Sequence, residues 1–345
     1  MVISTFGEIM MRLSTVDNNR INQSKFFEVS FAGSESNVAV NLSLWGIKTS
    51  FISSLPDNEL GELAICDLNR YSVKTEYIQK TPESRIGTIY IEKGANYLPS
   101  NVIYDRNSSA FARDFFTEDF YLTALKDSNW FHWSGITPGL GINSIENLNN
   151  AIQVAVEEGL TISCDLNYRS KLWNYGKYPH EVMPELIKSS NVILGNEEDA
   201  QIMLNLKNST VVDVEKGNIT LEHYKQICES IFEKYTACSV IAFSIRESKS
   251  ADHNDWSAIL ATRDCFFTST KYKIKNIVDR VGAGDSFSAG IIYGLNTFKD
   301  DYQKALEFAT AASCLKHSIK GDYCLCNTNE ITKLMQGIST GRINR

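Results

Sequence analysis

Short, dense apolar runs alternate with amphipathic stretches along most of this 345-residue chain, and no other feature limits the fold as much. Residues 2–6, 49–53, 130–134, 161–166, 191–194 and 239–244 read as buried strands. Between or after them, residues 37–45, 60–69, 145–158, 180–188, 197–204, 221–234 and 302–315 carry helical periodicity. This alternation predicts an α/β fold with a mostly parallel central sheet covered by helices on both faces. Two regions depart from it. Residues 12–31 are polar, with alternation near their end, and residues 85–104 alternate through Ile86, Thr88 and Tyr90, then Val102 and Tyr104. They are expected to pair as a small β-sheet lid formed by about 12–32 and 85–110. No repeat or Pro/Gly-rich linker divides the chain, so residues 1–345 are expected to form one domain.

Composition excludes several classes of function. A hydrophobic content of 43% supports a large core, and 34 Lys plus Arg against 41 Asp plus Glu leave a net charge of -7. An acidic chain lacks the electrostatic footprint of a nucleic-acid binder. No run approaches the roughly 18 apolar residues of a membrane span. Met1 to Glu8 has no basic segment of the secretory kind. The eight cysteines are scattered, with Cys324 and Cys326 the only close pair, which is weak metal spacing. These features predict a soluble cytoplasmic protein with no nucleic-acid or membrane partner.

The chemistry concentrates in Asn276-Ile-Val-Asp-Arg-Val-Gly-Ala-Gly-Asp-Ser-Phe-Ser-Ala-Gly-Ile-Ile-Tyr-Gly-Leu295. A strand is expected to end at Val278, Gly282 and Gly284 to make a tight turn, and a helix to open at about Asp285. Its apolar face would be Phe287, Ile291, Leu295 and Phe298, with Gly290 and Gly294 allowing close packing. Amides at a glycine-rich helix start form an anion site, aided by the helix dipole. Asp285 then stands where a hydroxyl nucleophile must lose its proton as phosphate arrives. The plainer reading of Asp285 is an N-cap. Walker A, protein-kinase, G-x-G-x-x-G and H-E-x-x-H motifs are absent, so any phosphoryl transfer needs another scaffold.

Asp279 to Asp285 (DRVGAGD) resembles the C-terminal signature of the ribokinase-like, phosphofructokinase-B type carbohydrate kinases. Ala32 to Gly46 (AGSESNVAVNLSLWG) resembles that family's N-terminal signature, Asp57 to Gly61 (DNELG) its next short motif, and Gly195 to Asp199 (GNEED) its Asn-x-x-Glu segment. The matches occur in family order across nearly the whole chain. The resemblance implies a Rossmann-like domain with a β-sheet lid, ATP as donor and Mg²⁺ as charge-neutralising ion. Asp285 becomes the general base, and the amides of Gly282, Ala283 and Gly284 the anion hole.

Within the family the chain is most similar to 2-keto-3-deoxygluconate kinases, through Gly33, Tyr90, the run from Val102 to Ala110 and the run from Asp165 to Trp173. This resemblance implies a sugar acid held by Arg106 and Arg169, with hydroxyls from Tyr90 and Tyr104, contacts from Asn37, and Gly33 letting substrate approach the backbone. A guanidinium fork suits a carboxylate, whereas a neutral sugar would leave buried arginines uncompensated. Each residue also has a structural reading: Arg106 pairing with Asp105 or Asp114, Arg169 as a solvated loop residue, the tyrosines as cross-strand packing. The reaction implied is phosphorylation of 2-dehydro-3-deoxy-D-gluconate at O6. A neutral-sugar kinase such as a fructokinase, and a non-catalytic sugar-binding regulator, are the alternatives.

The chain departs from the family pattern in places. Asp199 stands where the family usually has Glu, so a water-mediated contact to Mg²⁺ would shift, and Asn196 with its acidic neighbours equally fits a helix start. On the nucleotide side Ser244-Ile-Arg-Glu-Ser248 replaces a Thr-x-Gly turn, and Arg280 replaces Thr. Arg246 reads as a phosphate contact or a surface charge, and His317 as a border of the adenine pocket or a helix-dipole partner. An exposed lid edge would favour a homo-oligomer.

Overall fold

The computed structural model describes residues 1–206 and 220–338. The strands are β1 (Val2–Phe6), β2 (Met10–Thr15), β3 (Phe27–Ala32), β4 (Lys48–Pro56), β5 (Ile78–Thr81), β6 (Thr88–Glu92), β7 (Asn101–Asp105), β8 (Trp130–Ser134), β9 (Thr161–Asp165), β10 (Val192–Gly195), β11 (Val240–Ser250), β12 (His253–Thr262), β13 (Phe266–Thr268) and β14 (Tyr272–Lys275). The helices are α1 (Ser34–Leu44), α2 (Glu59–Arg70), α3 (Ala110–Arg113), α4 (Glu118–Leu125), α5 (Ile142–Glu157), α6 (Pro179–Leu186), α7 (Glu197–Leu204), α8 (Leu221–Lys234), α9 (Ala283–Thr297), α10 (Tyr302–Lys316) and α11 (Thr328–Met335).

Strands buried on both faces form the larger sheet, in the order β13-β12-β11-β10-β9-β8-β1-β4-β5, with β14 pairing β12. From β5 to β11 every neighbour is parallel, and β12 turns antiparallel against β11. Trp130 packs in one core layer and Phe131 and Trp133 in another, as alternation across a doubly covered sheet requires. The chain leaves β1 through β4 and β5 on one side, then returns to build β8 to β11 on the other. The strand order therefore reverses between β1 and β8, and the carboxyl ends of such strands bound a ligand crevice.

Residues 10–15, 27–32, 88–92 and 101–105 form the separate four-stranded sheet β3-β2-β6-β7. Its register sets its faces. Ile89 pairs Tyr104 and Tyr90 pairs Ile103, so the two tyrosines lie on opposite faces. Tyr104 shares a cluster with Met10, Ala32, Ile89, Ile91 and Val281, facing the glycine turn. Tyr90 shares the outer face with Leu13 and stacks edge-on against Phe27, ring centroids 5.9 Å apart.

Two boundaries differ from expectation. The strand before the glycine turn ends at Lys275, not Val278, because the amides of Val278 and Asp279 turn away to the carbonyl of His317. The run expected to end at Ser244 continues to Ser250, its far half polar and alternating because it leaves the core as a long hairpin with β12. Helix α9 starts at Ala283, with Gly282 as N-cap at φ 81°. A Cβ on Gly282 would lie 2.0 Å from the carbonyl oxygen of Asp322. Among the described residues no helix is long and apolar enough to cross a membrane.

Candidate active site

Helix α9 carries Asp285 in its first turn, but the carboxylate does not cap the helix. Oδ1 accepts a hydrogen bond from Ser34 Oγ at 2.7 Å, and Oδ2 accepts one from Asn37 Nδ2 at 2.6 Å, both from α1. Asn167 Nδ2, at the end of β9, donates to the same serine oxygen at 2.9 Å. The Ala32 to Gly46 and Asp165 to Trp173 runs thus meet the glycine turn at one carboxylate. Burial, with a smaller contribution from nearby Asp165, pushes the Asp285 carboxyl up to about 7 against the opposing effect of the two donors.

The turn is held mostly from behind. Ser313 Oγ donates to the Ala283 carbonyl at 2.7 Å, and Asp279 accepts from Arg12 Nη2 at 2.6 Å and from the Gly321 amide at 3.2 Å. Arg12, in β2, also binds Asp322, so the second sheet is tied to the turn by a buried ion cluster. Of the three amides expected to form the anion hole, that of Ala283 donates to the Arg280 carbonyl at 3.3 Å. Gly284 is exposed, and a Cβ built on it would meet no atom within 4 Å. Beside the turn, a cleft of about 530 Å³ lies between Ile91, Pro99 and Val102 of the second sheet region and Ala251, Arg280 and Val281.

The other expected residues divide by position. Asn37 is buried against Asp285. Gly33 is extended, and its Cβ would lie 2.1 Å from the Glu8 carbonyl, so the protein's own backbone demands glycine there whatever a substrate requires. Arg106 pairs with neither Asp105 nor Asp114. Its Nε and Nη2 bind Glu8 Oε2 in a buried pair, and its guanidinium lies 5.8 Å from the centre of the Tyr104 ring. Arg169 is exposed and donates to the Tyr168 carbonyl, close enough to Asp165 and Asp199 to favour their ionised forms. Tyr90 lies on the face of the second sheet opposite Tyr104, packed edge-on against Phe27.

Asn196 caps α7, its Oδ1 accepting from the Asp199 amide at 2.9 Å. Asp199 is buried, its carboxylate accepting from the Tyr168 amide at 3.2 Å and Asn196 Nδ2 at 3.0 Å, and burial pushes it up to about 7. Among the described residues no group of three or more His, Cys, Asp or Glu side chains is arranged to hold a metal. One buried carboxylate beside an amide oxygen still fits Mg²⁺, which keeps several waters and binds through one or two carboxylates plus substrate phosphates. Ser244 and Arg246 lie inside β11 instead of in a turn. Arg246 is exposed, and Arg280 is lowered by its own burial first and by nearby Arg246 second. His317 is buried, only 1% exposed; its Nδ1 donates to the Ser313 carbonyl at 2.8 Å and its ring packs against Trp256.

Sequence reasoning passed over Glu8, Ser34, Arg12 and Lys316. Ser34 lay inside a quoted motif, whereas Glu8 and Arg12 gave no local signal, since their ion-pair partners are 98 and at least 267 residues away.

The pfkB family carbohydrate kinase model matches residues 2–231 and 257–326. A 2-dehydro-3-deoxygalactonokinase of Haloferax volcanii is 30% identical, the match covering 98% of this chain and 97% of that protein. The crystal structure of 2-dehydro-3-deoxygluconokinase from Thermotoga maritima superposes with a TM-score of 0.89 at 40% identity, covering 98% of this chain and all of the other. A PfkB family carbohydrate kinase from Listeria grayi gives 0.87 at 30% identity, covering 97% and 100%. With the glycine turn, its carboxylate and the second sheet in place, the chain belongs to the pfkB family of carbohydrate kinases.

Proposed function

We propose that this carbohydrate kinase transfers the γ-phosphoryl group of ATP to O6 of 2-dehydro-3-deoxy-D-gluconate, in the cytoplasm. The observation that carries this reading is the buried Asp285 carboxylate in the first turn of α9, next to the exposed Gly284. The O6–phosphorus bond forms, the bond from phosphorus to the β,γ-bridging oxygen breaks, and ADP leaves. The hydroxyl proton passes to Asp285. The α9 dipole and the amides of Gly282 and Gly284 favour the negative charge of the transferring group, the Ala283 amide being turned to the Arg280 carbonyl. Asp199 and Asn196 would hold Mg²⁺, which neutralises phosphate charge when bound, and Arg246 and Ser244 border the nucleotide side.

Arg106 and Arg169 have different tasks in this scheme. Glu8 already neutralises Arg106, so Arg106 with Tyr104 offers oriented donors and little net attraction. Arg169 has a backbone carbonyl for a partner and supplies the positive charge for the acid end. Replacing Arg169 with Ala should raise the KM for the sugar acid about 10–100-fold, as for a charge-assisted hydrogen bond. Turnover of a neutral sugar such as fructose should not change. An ADP-release assay across the sugar acid, its C4 epimer and neutral sugars tests both statements. Faster wild-type turnover of fructose than of the acids would overturn the substrate assignment. The galactonate-derived epimer is the second reading, because the 30%-identical relative carries that name.

We also propose a homo-oligomer through the second sheet. Val29 and Ile103 are 55% and 46% exposed on its outer face, beside Leu13, Phe27 and Tyr90. Light scattering should show a dimer that a Val29→Lys, Ile103→Lys double variant converts to monomer, and a monomeric wild type would refute this.

A further inference from the structure

Lys316, the last residue of α10, is wholly buried, and the scheme above makes no use of it. Burial favours its neutral form, a cost that only specific contacts offset. Its Nζ donates to the backbone carbonyl of Asp279 at 3.3 Å and to that of Ile319 at 3.0 Å. Asp279 opens the glycine turn, and Ile319 precedes the segment whose Asp322 carbonyl lies against Gly282. The carboxylates of Asp279 and Asp322, both bound by Arg12, lie close enough to favour the ammonium.

From these contacts we propose that Lys316 is a positioning residue: a built-in cation that clamps the carbonyl side of the glycine turn so that its amide side faces the arriving phosphoryl group. The inference rests on reading that turn as the phosphoryl site. A trans peptide points its N–H opposite its C=O, so the grip on the Asp279 carbonyl aims the Arg280 amide at the start of the turn, and Ser313 Oγ on the Ala283 carbonyl aims the Gly284 amide. Converging carbonyls call for a compact positive charge with several donors, which an ammonium is and a guanidinium is not. Ser313 Oγ on the Ala283 carbonyl and the His317 carbonyl on the Val278 amide hold the same loop from the same helix end. Lys316 supplies the one charged contact among these.

The test uses the full-length enzyme with Lys316→Ala, which removes the ammonium and opens a space beside the two carbonyls. We expect kcat to fall at least 30-fold (a threshold of roughly 2 kcal/mol) while the KM for the sugar acid changes less than about threefold. Added ethylammonium chloride should restore kcat at least tenfold, and equal concentrations of tetramethylammonium chloride should not. Lys316→Met keeps length without charge, and should be equally slow but not restored by amine. A wild-type kcat in Lys316→Met overturns the proposal, as does a folded but slow Lys316→Ala enzyme that ethylammonium leaves unchanged. Asp285→Asn, assayed alongside, should be slowed about 10²–10⁴-fold with or without amine. If that variant keeps wild-type turnover the base assignment fails, which is a different outcome from failure at Lys316.

Discussion

A carboxylate that titrates near 7 while accepting two short hydrogen bonds is poised to change its protonation where an enzyme works. Asp285 does so because burial outweighs its donors Ser34 and Asn37. A base must be ionised to accept a proton, so activity should be lost on the acid side. We expect kcat/KM to fall about tenfold per pH unit below about 7, and Asp285→Asn to lower kcat about 10²–10⁴-fold with sugar binding retained. A pH–rate profile and single-site titrations check both, and a flat profile from pH 5 to 8 would exclude Asp285 as the base. Asp285 was legible in the sequence because Gly282 and Gly284 just before it advertise an anion-binding helix start. Glu8 and Lys316 were not. A lone acid after a strand and a lysine at a helix end look like solvated charges until the fold shows them buried, and their partners are set by tertiary contacts.

At the scale of the element, α9 shows two uses of glycine that the sequence alone separates only partly. Gly290 and Gly294 face α10 so closely that a Cβ on Gly290 would lie 2.5 Å from Ala309 Cα, and one on Gly294 would lie 2.6 Å from Ala305 Cα. Gly284 has open space before it. Gly290→Val should therefore push the helices apart and destabilise the protein by about 2–4 kcal/mol, typical of core overpacking and backbone shifts. Gly284→Ala should fold as well or better, since Ala gains up to about 1 kcal/mol over Gly in a helix. Its methyl group would nevertheless sit where the phosphoryl group passes, lowering kcat about tenfold or more. Thermal melts and steady-state assays on the two variants separate packing from catalysis. Helical periodicity made α9 and its packing face readable. The end of the preceding strand was misplaced because Asn276 to Val278 is apolar enough for a strand but is anchored to α10.

Across the whole molecule, the switch in strand order gathers acids at the carboxyl ends of the strands, and this cost appears as pH-dependent stability. Burial pushes Asp285, Asp199 and Glu35 each to about 7, well above their ordinary range. The folded protein then holds protons that the unfolded chain has released. The stability these groups contribute is complete below their unfolded values and is lost as pH rises through 7. Two buried histidines act in the opposite sense: His132 and His317 are lowered to about 3 and about 4, so folding is weakened as pH falls below 6.5. Between about 4.5 and 6.5 the two sets oppose each other, three carboxyl groups against two histidines, so stability falls only gently, by about 1.4 kcal/mol per pH unit. Above 6.5 the histidines are neutral in both states, and only the carboxyl groups still titrate. The protein without ligands should accordingly lose on the order of 1–3 kcal/mol between pH 6 and 8, a drop of several degrees in Tm. Asp285→Asn removes one of the three protons, so its Tm should fall less steeply over the same interval. Bound Mg²⁺ and nucleotide supply positive charge and donors to the ionised forms and should flatten the slope further. Calorimetry from pH 5 to 8.5 on both proteins checks the sign. A Tm that rises between pH 6.5 and 8 would mean that these carboxyl groups are already ionised in the folded state, and that Asp285 is a base without the raised titration the fold imposes on it.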